Sequence, residues 1–315
     1  MRCEPGAAQL TAIDAPQFDL ELTLTCGQVF HWVRHENGWL GAMGDLPVFV
    51  QQRGHTLFAT PGHAARIAEY FALDHPLETI CSTFPKDAGM SAAADFCRGL
   101  RIIRQPAWEC LATFITSSMK RVAHIAQISH DLRRRFGAPV RCGDVSLFAY
   151  PEAERIAALD EQTLRECRLG YRAKHLLRSA QMIAHRDVDL GALAAASDED
   201  ARAELCRLPG VGEKIANCVL LFGFGRLRAF PIDVWIERVL RTLYFRGKRN
   251  VTPQRLRTFS HDYFGPFGGY AQQYLFHHAR MLFPRKPSSR GSQRRVRRSP
   301  TRPVKRVRRL ESISA

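Results

Sequence analysis

The sequence contains no closely spaced pair of cysteines of the Cys-x-x-Cys type. Its nine cysteines are scattered along the chain, and the last of them is Cys218. An odd, scattered set is not the pattern of a small scaffold held together by disulfides. We therefore expect a protein of a reducing cytosol that relies on a hydrophobic core.

Long apolar stretches are also missing. No run of about 20 apolar residues occurs, so the sequence predicts no membrane span. Residues 1–6 lack the apolar stretch of a secretion signal. With 45% hydrophobic residues, a chain of 315 residues can bury a good core in one large domain or two smaller ones. We expect a location in the cytoplasm, at the bacterial nucleoid, or in the nucleus if the source is eukaryotic.

Positive charge is concentrated towards the C-terminal end. The net charge is +16, and residues 285–315 hold twelve Lys and Arg against the single acid Glu311. This segment is rich in Arg, Ser and Pro and poor in apolar side chains, so it is predicted to be a disordered basic tail. Nucleic acid phosphate is the partner that such a tail favours. A solubilising tail and a nuclear import signal remain open.

Two different sequence patterns follow one another along the rest of the chain. From about residue 15 to residue 60, short apolar runs are separated by turn signals at Asn37-Gly38, Gly44-Asp45 and Arg53-Gly54. From Pro61 onward helix signals dominate, as in the apolar series Val122, Ile125, Ile128, Leu132 and Phe136. Strands followed by helices predict an α+β protein. We expect an antiparallel sheet domain with some helices over 1–105, a helical domain over 106–284 and the tail over 285–315.

Two segments carry the chemistry. Gly210 and Gly212 precede Lys214 in Leu-Pro-Gly-Val-Gly-Glu-Lys, and Asp233 follows in Pro-Ile-Asp-Val. A glycine turn at a helix N-terminus leaves backbone N–H groups that suit a phosphate. A lysine beside a carboxylate in a desolvated pocket can be a nucleophile. The pair predicts an enzyme that attacks a nucleotide sugar, with an ordinary pair of helix caps as the plain alternative.

These segments resemble the helix–hairpin–helix (HhH-GPD) DNA glycosylases. Within that superfamily the chain is similar to 8-oxoguanine DNA glycosylase/AP lyases of the eukaryotic type, because further matching stretches occur at 25–32, 117–121, 169–174 and 265–276. The resemblance implies an antiparallel sheet domain followed by a mostly α-helical HhH-GPD domain. It also implies a bifunctional base-excision-repair enzyme, a DNA N-glycosylase with AP lyase activity. Such an enzyme flips 8-oxoguanine out of duplex DNA, removes it through a lysine Schiff base and cuts the strand by β-elimination.

The resemblance assigns a role to each matching residue. The catalytic residues would be Lys214, as the nucleophile, and Asp233, which stabilises the developing charge and orients the amine. The residues that would bind the damaged base are Gly27, through its carbonyl, Gln272, through its amide, and Cys218 and Phe276, which sandwich the base. The DNA-binding residues would be Tyr171, Arg172, Met119, His124, Gly210 and Gly212. Tyr171 would wedge into the duplex and Arg172 would read the orphaned cytosine.

The chain departs from the family pattern at Met119 and His124. The family commonly has Asn and Arg there, which donate hydrogen bonds to the orphaned cytosine, so reading of the opposite strand is expected to be weakened. Several superfamily members carry an iron–sulfur cluster on four cysteines beyond the catalytic Asp, which cannot be built here because no cysteine follows Cys218. We expect no metal, no cofactor, no membrane and a monomer that binds double-stranded DNA containing 8-oxoguanine. An endonuclease-III-like enzyme, an alkylbase glycosylase and, least of all, a non-catalytic DNA-binding module remain as alternatives.

Overall fold

The computed structural model describes residues 10–118, 120–248 and 250–282. Met119 and the tail over 285–315 lie outside the described residues, so what the sequence predicts for them stays a prediction. Within the described ranges, an antiparallel sheet near the N-terminus is followed by a long series of helices. The predicted α+β class is therefore confirmed.

The sheet has five strands. They are β1 (Thr11–Asp14), β2 (Val33–His35), β3 (Gly38–Met43), β4 (Leu46–Arg53) and β5 (Thr56–Ala59). The spatial order is β1-β5-β4-β3-β2, and every neighbouring pair is antiparallel. Short turns join β2, β3, β4 and β5 in succession, close to the predicted turn signals. Alternating side chains of β4, such as Val48 and Val50, are buried on one face of the sheet, which fixes the register of the strand.

One part of the predicted strand region is not a strand. Helix α1 (Leu20–Thr25) occupies it, and the Asp19 side chain caps this helix by accepting from the Leu22 N–H at 2.8 Å. The segment that follows is irregular up to β2, although its aromatic residues alternate with others. Phe30 packs into the core of the helices and Trp32 into the core of the sheet, so the alternation reflects two cores rather than a ladder of hydrogen bonds.

The helices that follow the sheet are arranged in chain order. They are α2 (Ala64–Tyr70), α3 (Leu77–Ser82), α4 (Ala88–Phe96), α5 (Ala107–Ser117), α6 (Val122–Phe136), α7 (Ala153–Ala157), α8 (Glu161–Leu164), α9 (Arg172–Ala184), α10 (Leu190–Ala195), α11 (Asp198–Leu205), α12 (Glu213–Phe222), α13 (Val234–Leu243), α14 (Pro253–Phe264) and α15 (Gly268–Leu282). A π-helical turn lies at Arg165–Leu169 and a 3₁₀ turn at Gly265–Phe267. The helical series from Val122 to Phe136 is thus confirmed as α6.

A hairpin interrupts the helices where the sequence predicted none. Strands β6 (Pro139–Cys142) and β7 (Val145–Phe148) pair antiparallel, with Gly143 at a φ of +58° in the turn between them. The hairpin is short and only half-buried, so its sequence lacks the strong apolar alternation that a strand with one buried face would show. Local pattern therefore could not separate it from the helices around it.

The buried apolar side chains form two clusters. The smaller one lies under the sheet and includes Trp39, Val50 and Phe71. The larger one belongs to the helices from α5 onward, and it also takes in residues of α3 and α4 such as Ile80 and Met90. The predicted boundary between residues 105 and 106 stays a prediction. Among the described residues, none of the helices has the length and apolar character to span a bilayer.

A buried ionic cluster joins the segment before β2 to the helices. Glu109 of α5 pairs with Arg133 of α6, and both side chains are almost fully buried. His31 approaches the same carboxylate, with 3.2 Å between Nδ1 and Oε1. Burial and the nearby Arg133 guanidinium lower the pKa of His31 well below its usual value, so the imidazole is neutral. Arg133 also donates to the Phe148 carbonyl at 3.1 Å, which anchors β7.

Removing one partner of this cluster is expected to destabilise the fold strongly. Arg133→Met leaves the Glu109 carboxylate buried without a counter-charge, which costs about 3–5 kcal/mol of the free energy of unfolding. Urea denaturation measures this. Arg135→Met is the matched control, because Arg135 lies on the same helix but pairs with Glu166 at the surface. Equal stability of the two variants would contradict the assignment.

Candidate active site

The glycine-rich turn connects α11 to α12. It closes through the Val211 N–H, which donates to the Leu208 carbonyl at 3.0 Å. Gly210 has a φ of +82°, and a Cβ at this position would lie 2.7 Å from Nδ1 of His175. A glycine is therefore required by both the backbone angle and the close approach of the ring. Gly212 caps α12, whose first N–H groups have no partner within the helix and can bind an anion.

Lys214 lies in the first turn of α12, and its amine sits among three side chains. Nζ is 4.9 Å from the centroid of the Phe114 ring, which belongs to α5. The amine also acts electrostatically on the Cys218 thiol, one helical turn further on, and on the Asp233 carboxylate, and it lowers the pKa of both groups. Burial raises the pKa of the Cys218 thiol to about 11, so this thiol is uncharged at neutral pH.

Asp233 is the N-cap of α13. Its Oδ1 accepts from the Trp235 N–H at 3.0 Å and from the Ile236 N–H at 2.9 Å, so Oδ2 takes no part in the cap. Burial raises the pKa of this carboxyl, against the opposing effects of the Ile236 hydrogen bond and of the Lys214 charge. The arrangement holds a fixed carboxylate within electrostatic range of an amine, and both residues are half-buried. Nucleophilic chemistry by a lysine is favoured by such a setting.

Gly27 lies against the last helix, α15. A Cβ on Gly27 would be 3.2 Å from Cε1 of Phe276 and 2.6 Å from Nη1 of Arg280, and the backbone φ is +96°. Gln272 lies one turn before Phe276 on α15, and its side chain is buried. Within the described part of the chain, its Oε1 has no hydrogen-bond partner. Because a buried, unpaired amide oxygen is costly, it points to a polar ligand at this position.

The predicted wedge residue is exposed. Tyr171 is 55% exposed at the start of α9, and its ring lies edge-on to that of His175. Arg172 is placed differently from what its predicted role implies. Its side chain is only 5% exposed, and its guanidinium stacks on Tyr171 at 4.3 Å and donates to the carbonyls of Leu169 and Ser118. In this conformation Arg172 supports the wedge rather than presenting donors at the surface.

The two positions that depart from the family pattern lie before and within the first turn of α6. His124 is exposed there. Met119 lies outside the described residues, and the neighbouring Lys120 donates from Nζ to the Arg168 carbonyl at 3.5 Å. This contact holds the start of α6 near the turn that precedes Tyr171. Opposite-strand contacts by Met119 and His124 therefore stay a prediction.

Sequence reasoning missed three residues of the site. Phe114 lies beneath the Lys214 amine, and Gln273 and Arg280 both donate hydrogen bonds to the Cys26 carbonyl. Of these three, Arg280 alone could have been found from the sequence, because it follows Gln272 and Phe276 at helical spacing and so shares their face of α15. Among residues 10–118, 120–248 and 250–282, no group of three His, Cys, Asp or Glu side chains comes together as a set of metal ligands.

Two family profiles match consecutive parts of the chain. Residues 11–111 match the 8-oxoguanine DNA glycosylase N-terminal domain. Residues 112–262 match the HhH-GPD superfamily of base excision DNA repair proteins. The matched ranges contain Gly27 in the first part and both Lys214 and Asp233 in the second.

Individual relatives agree with these profiles. The solved structure of MBOgg1 in complex with a low-affinity DNA ligand is 33% identical, with a TM-score of 0.82 over 86% of this chain and 95% of that one. The 8-oxoguanine glycosylase/lyase of Clostridium acetobutylicum, bound to DNA with cytosine opposite 8-oxoguanine, is 28% identical with a TM-score of 0.80 over 86% and 98%. A probable N-glycosylase/DNA lyase of Methanothermobacter thermautotrophicus is 28% identical over 85% of this chain and 95% of its own length.

The contribution of Asp233 to stability as a helix cap can be measured separately from the contribution of its charge. Asp233→Ala removes the acceptor for two N–H groups and is expected to lower the free energy of unfolding by about 1 kcal/mol. Asp233→Asn keeps an oxygen acceptor and removes a charge that burial disfavours, so we expect it to be at least as stable as the parent chain. Urea denaturation of the two variants decides this. Equal destabilisation by both would show that the charge, and not the cap, holds the start of α13.

Proposed function

Because the chain belongs to the 8-oxoguanine DNA glycosylase/lyase family of the helix–hairpin–helix superfamily, we propose that it removes 8-oxoguanine from duplex DNA in base excision repair. The enzyme combines DNA N-glycosylase activity with AP lyase activity. The observation that carries the proposal is the placement of Lys214, whose amine lies 4.9 Å from the Phe114 ring and acts electrostatically on the half-buried carboxylate of Asp233 at the start of the next helix. A DNA-binding module without catalysis has no need of this pair.

The reaction begins with the damaged nucleotide flipped out of the stack, since its sugar carbon is inaccessible inside the duplex. The unprotonated amine of Lys214 forms a bond to C1′ while the bond from C1′ to the base breaks, and the base leaves with the bonding electrons and gains a proton. Asp233 stabilises the positive charge that develops on the sugar, because its Oδ2 is not used by the helix cap. The sugar ring then opens to a Schiff base on Lys214, and loss of a proton from C2′ eliminates the 3′ phosphate.

Recognition of the base is assigned to the pocket between Gly27 and α15. The Gly27 carbonyl accepts the N7–H that 8-oxoguanine has and guanine lacks. Gln272 binds the Watson–Crick edge, which is supported by its buried and unpaired Oε1. Phe276 lies against Gly27, as a residue stacked on the bound base must. We assign Cys218 to the opposite face of the base, which is supported by its position one helical turn after Lys214 on α12.

The DNA itself is held at two places. The hairpin with Gly210 and Gly212 binds a phosphate through backbone N–H groups. Tyr171 enters the duplex, and its exposed ring with Arg172 stacked beneath it supports this role. We propose that the enzyme acts as a monomer on DNA, in the nucleoid or the nucleus, and that the basic segment 285–315 adds phosphate contacts that are independent of sequence.

An alkylbase glycosylase is the second candidate. The 3-methyladenine DNA glycosylase of Archaeoglobus fulgidus has a TM-score of 0.72 at 20% identity, which shows a shared fold alone. Nothing in the pocket favours that chemistry over 8-oxoguanine, since Lys214 supplies a covalent nucleophile that alkylbase removal does not require. An endonuclease-III-like enzyme is less favoured, because the cysteine cluster of that group cannot be built after Cys218.

The role of Lys214 is testable by substitution. Lys214→Gln removes the nucleophile but keeps a polar side chain, so base release and strand cleavage on a duplex with 8-oxoguanine should vanish while DNA affinity is kept. Single-turnover assays and binding titrations on the full chain measure both. Lys86→Gln is the control, because Lys86 is exposed and, within the described residues, donates to no group other than the Ser82 carbonyl. Residual strand cleavage by the Lys214 variant would contradict the assignment.

The choice of opposite base is the second test. Base release should be measured on duplexes with 8-oxoguanine opposite each of the four bases, and 3-methyladenine DNA should be assayed in parallel. We expect weak preference for cytosine, because Met119 and His124 lack the usual donors. Met119→Asn with His124→Arg should sharpen it, each good contact being worth about 1–3 kcal/mol. Strict cytosine preference in the parent chain would contradict this, and faster release of 3-methyladenine would overturn the proposed substrate.

A further inference from the structure

The C-terminal end of helix α1 is held by a side chain of α15, the last described helix. The last carbonyls of a helix have no partner within the helix and must find one elsewhere. Arg280 of α15 supplies it, since Nη2 donates to the Thr25 carbonyl at 2.8 Å and Nη1 approaches the Cys26 carbonyl at 3.4 Å. Gln273 of the same helix donates to the Cys26 carbonyl at 3.2 Å. A cation at this end of a helix is also favoured by the helix dipole.

These contacts fix the backbone immediately before Gly27, and other contacts fix the backbone immediately after it. The Gln28 side chain donates to the carbonyls of Thr23, at 3.0 Å, and Arg101, at 2.8 Å. The Gln28 carbonyl in turn accepts from the Gln105 side chain at 2.8 Å. Gly27 thus lies between two immobilised peptides. Among the described residues, its own carbonyl accepts no hydrogen bond and remains available.

The Arg280 guanidinium is also part of the pocket wall. Its Nη1 would lie 2.6 Å from a Cβ placed on Gly27, and its central carbon is 5.6 Å from the centroid of the Phe276 ring. One cation therefore contacts both the peptide that offers the acceptor and the ring expected to stack on the base.

Within the described residues no carboxylate lies within ion-pair distance of Arg280. Burial lowers the pKa of its guanidinium, and the more distant carboxylate of Asp233 opposes this shift. Keeping a partly buried cation without a paired carboxylate is costly. Gln273 reaches only the Cys26 carbonyl, whereas Arg280 reaches the Thr25 carbonyl and the Phe276 ring as well. Arg280 therefore links the backbone before Gly27 to the pocket wall, which is more than closing the end of α1 requires.

We propose that Arg280 is the positioning residue that aims the Gly27 carbonyl, and with it the Phe276 ring, at the oxidised base. This rests on the proposed function, in which Gly27 reads the N7–H of 8-oxoguanine. An acceptor that discriminates by one hydrogen bond must be held in place, because a carbonyl free to rotate would lose the difference between 8-oxoguanine and guanine. Arg280 acts through the Cys26 and Thr25 carbonyls and does not itself carry out chemistry.

A positioning role and a structural role predict different effects of substitution on base release and on β-elimination. Base release needs the Gly27 carbonyl, whereas β-elimination at a preformed abasic site has no base to recognise. Loss of positioning should therefore slow base release much more than β-elimination. General damage to the fold or to Lys214 and Asp233 would slow both reactions together.

The experiment compares four full-length proteins under single turnover, on a duplex with 8-oxoguanine opposite cytosine and on a duplex with an abasic site. Arg280→Met keeps the apolar stem and removes the donors, so base release should fall about ten- to a hundredfold. Its effect on β-elimination should be at least about tenfold smaller. Arg280→Lys, which keeps a charge and a donor, should lie between it and the parent chain. Arg98→Met is the control, because Arg98 is 81% exposed and pairs with Asp95.

The outcomes separate the two proposals. A parent chain that does not release 8-oxoguanine would overturn the proposed function, whatever Arg280 does. A parent chain that releases it, with an Arg280→Met variant that loses neither activity or loses both equally, would overturn the positioning role. If circular dichroism shows that Arg280→Met does not fold, the ratio of base release to β-elimination is measured for Arg280→Lys and for Gln273→Leu instead. Gln273→Leu removes the second donor to the Cys26 carbonyl. An unchanged ratio in both of these would also overturn it.

Discussion

The electrostatic attraction between the Lys214 amine and the Asp233 carboxylate is the interaction around which the helical part of the molecule is arranged. Each group begins a helix, and each helix is held by a different neighbour, since α12 packs on α5 and α13 packs on α15. Phe114 of α5 lies directly beneath the amine. The helical part of the fold can therefore be understood as a frame that holds the proposed nucleophile within electrostatic range of a carboxylate at a half-buried site, where electrostatic interactions are stronger than in water.

The segment between α1 and β2, which contains Gly27, is joined to that frame by side-chain contacts. Glu109 and Arg133, together with His31, join the segment before β2 to α5 and α6 through a buried cluster. Contacts from α15 hold the same segment at Cys26, only one residue before Gly27. The proposed base pocket is thus built from elements more than 200 residues apart in sequence. Helix α15 connects this pocket to the proposed catalytic pair, because it carries Gln272 and also packs on α13.

The sequence predicted those features that are encoded by residues close together along the chain. The hairpin with Gly210 and Gly212, the cap at Asp233, the turns of the sheet and the helix from Val122 to Phe136 are all encoded by neighbouring residues. Helix α1 and the β6–β7 hairpin were missed because short, half-buried elements take their structure from tertiary contacts. The burial of Arg172 and the contact of Arg280 with Cys26 could not be predicted either, since each depends on a backbone carbonyl distant in sequence or supplied by another element.

The most direct test of the account is to reduce the reaction with borohydride on an 8-oxoguanine duplex and to locate the resulting covalent bond by peptide mass spectrometry. Reduction converts a Schiff base into a stable amine link between the protein and the opened sugar, so the modified residue identifies the nucleophile. The account predicts a single adduct on the peptide that contains Lys214. An adduct on another lysine or on the N-terminal amine, or base release without any trapped complex, would contradict it.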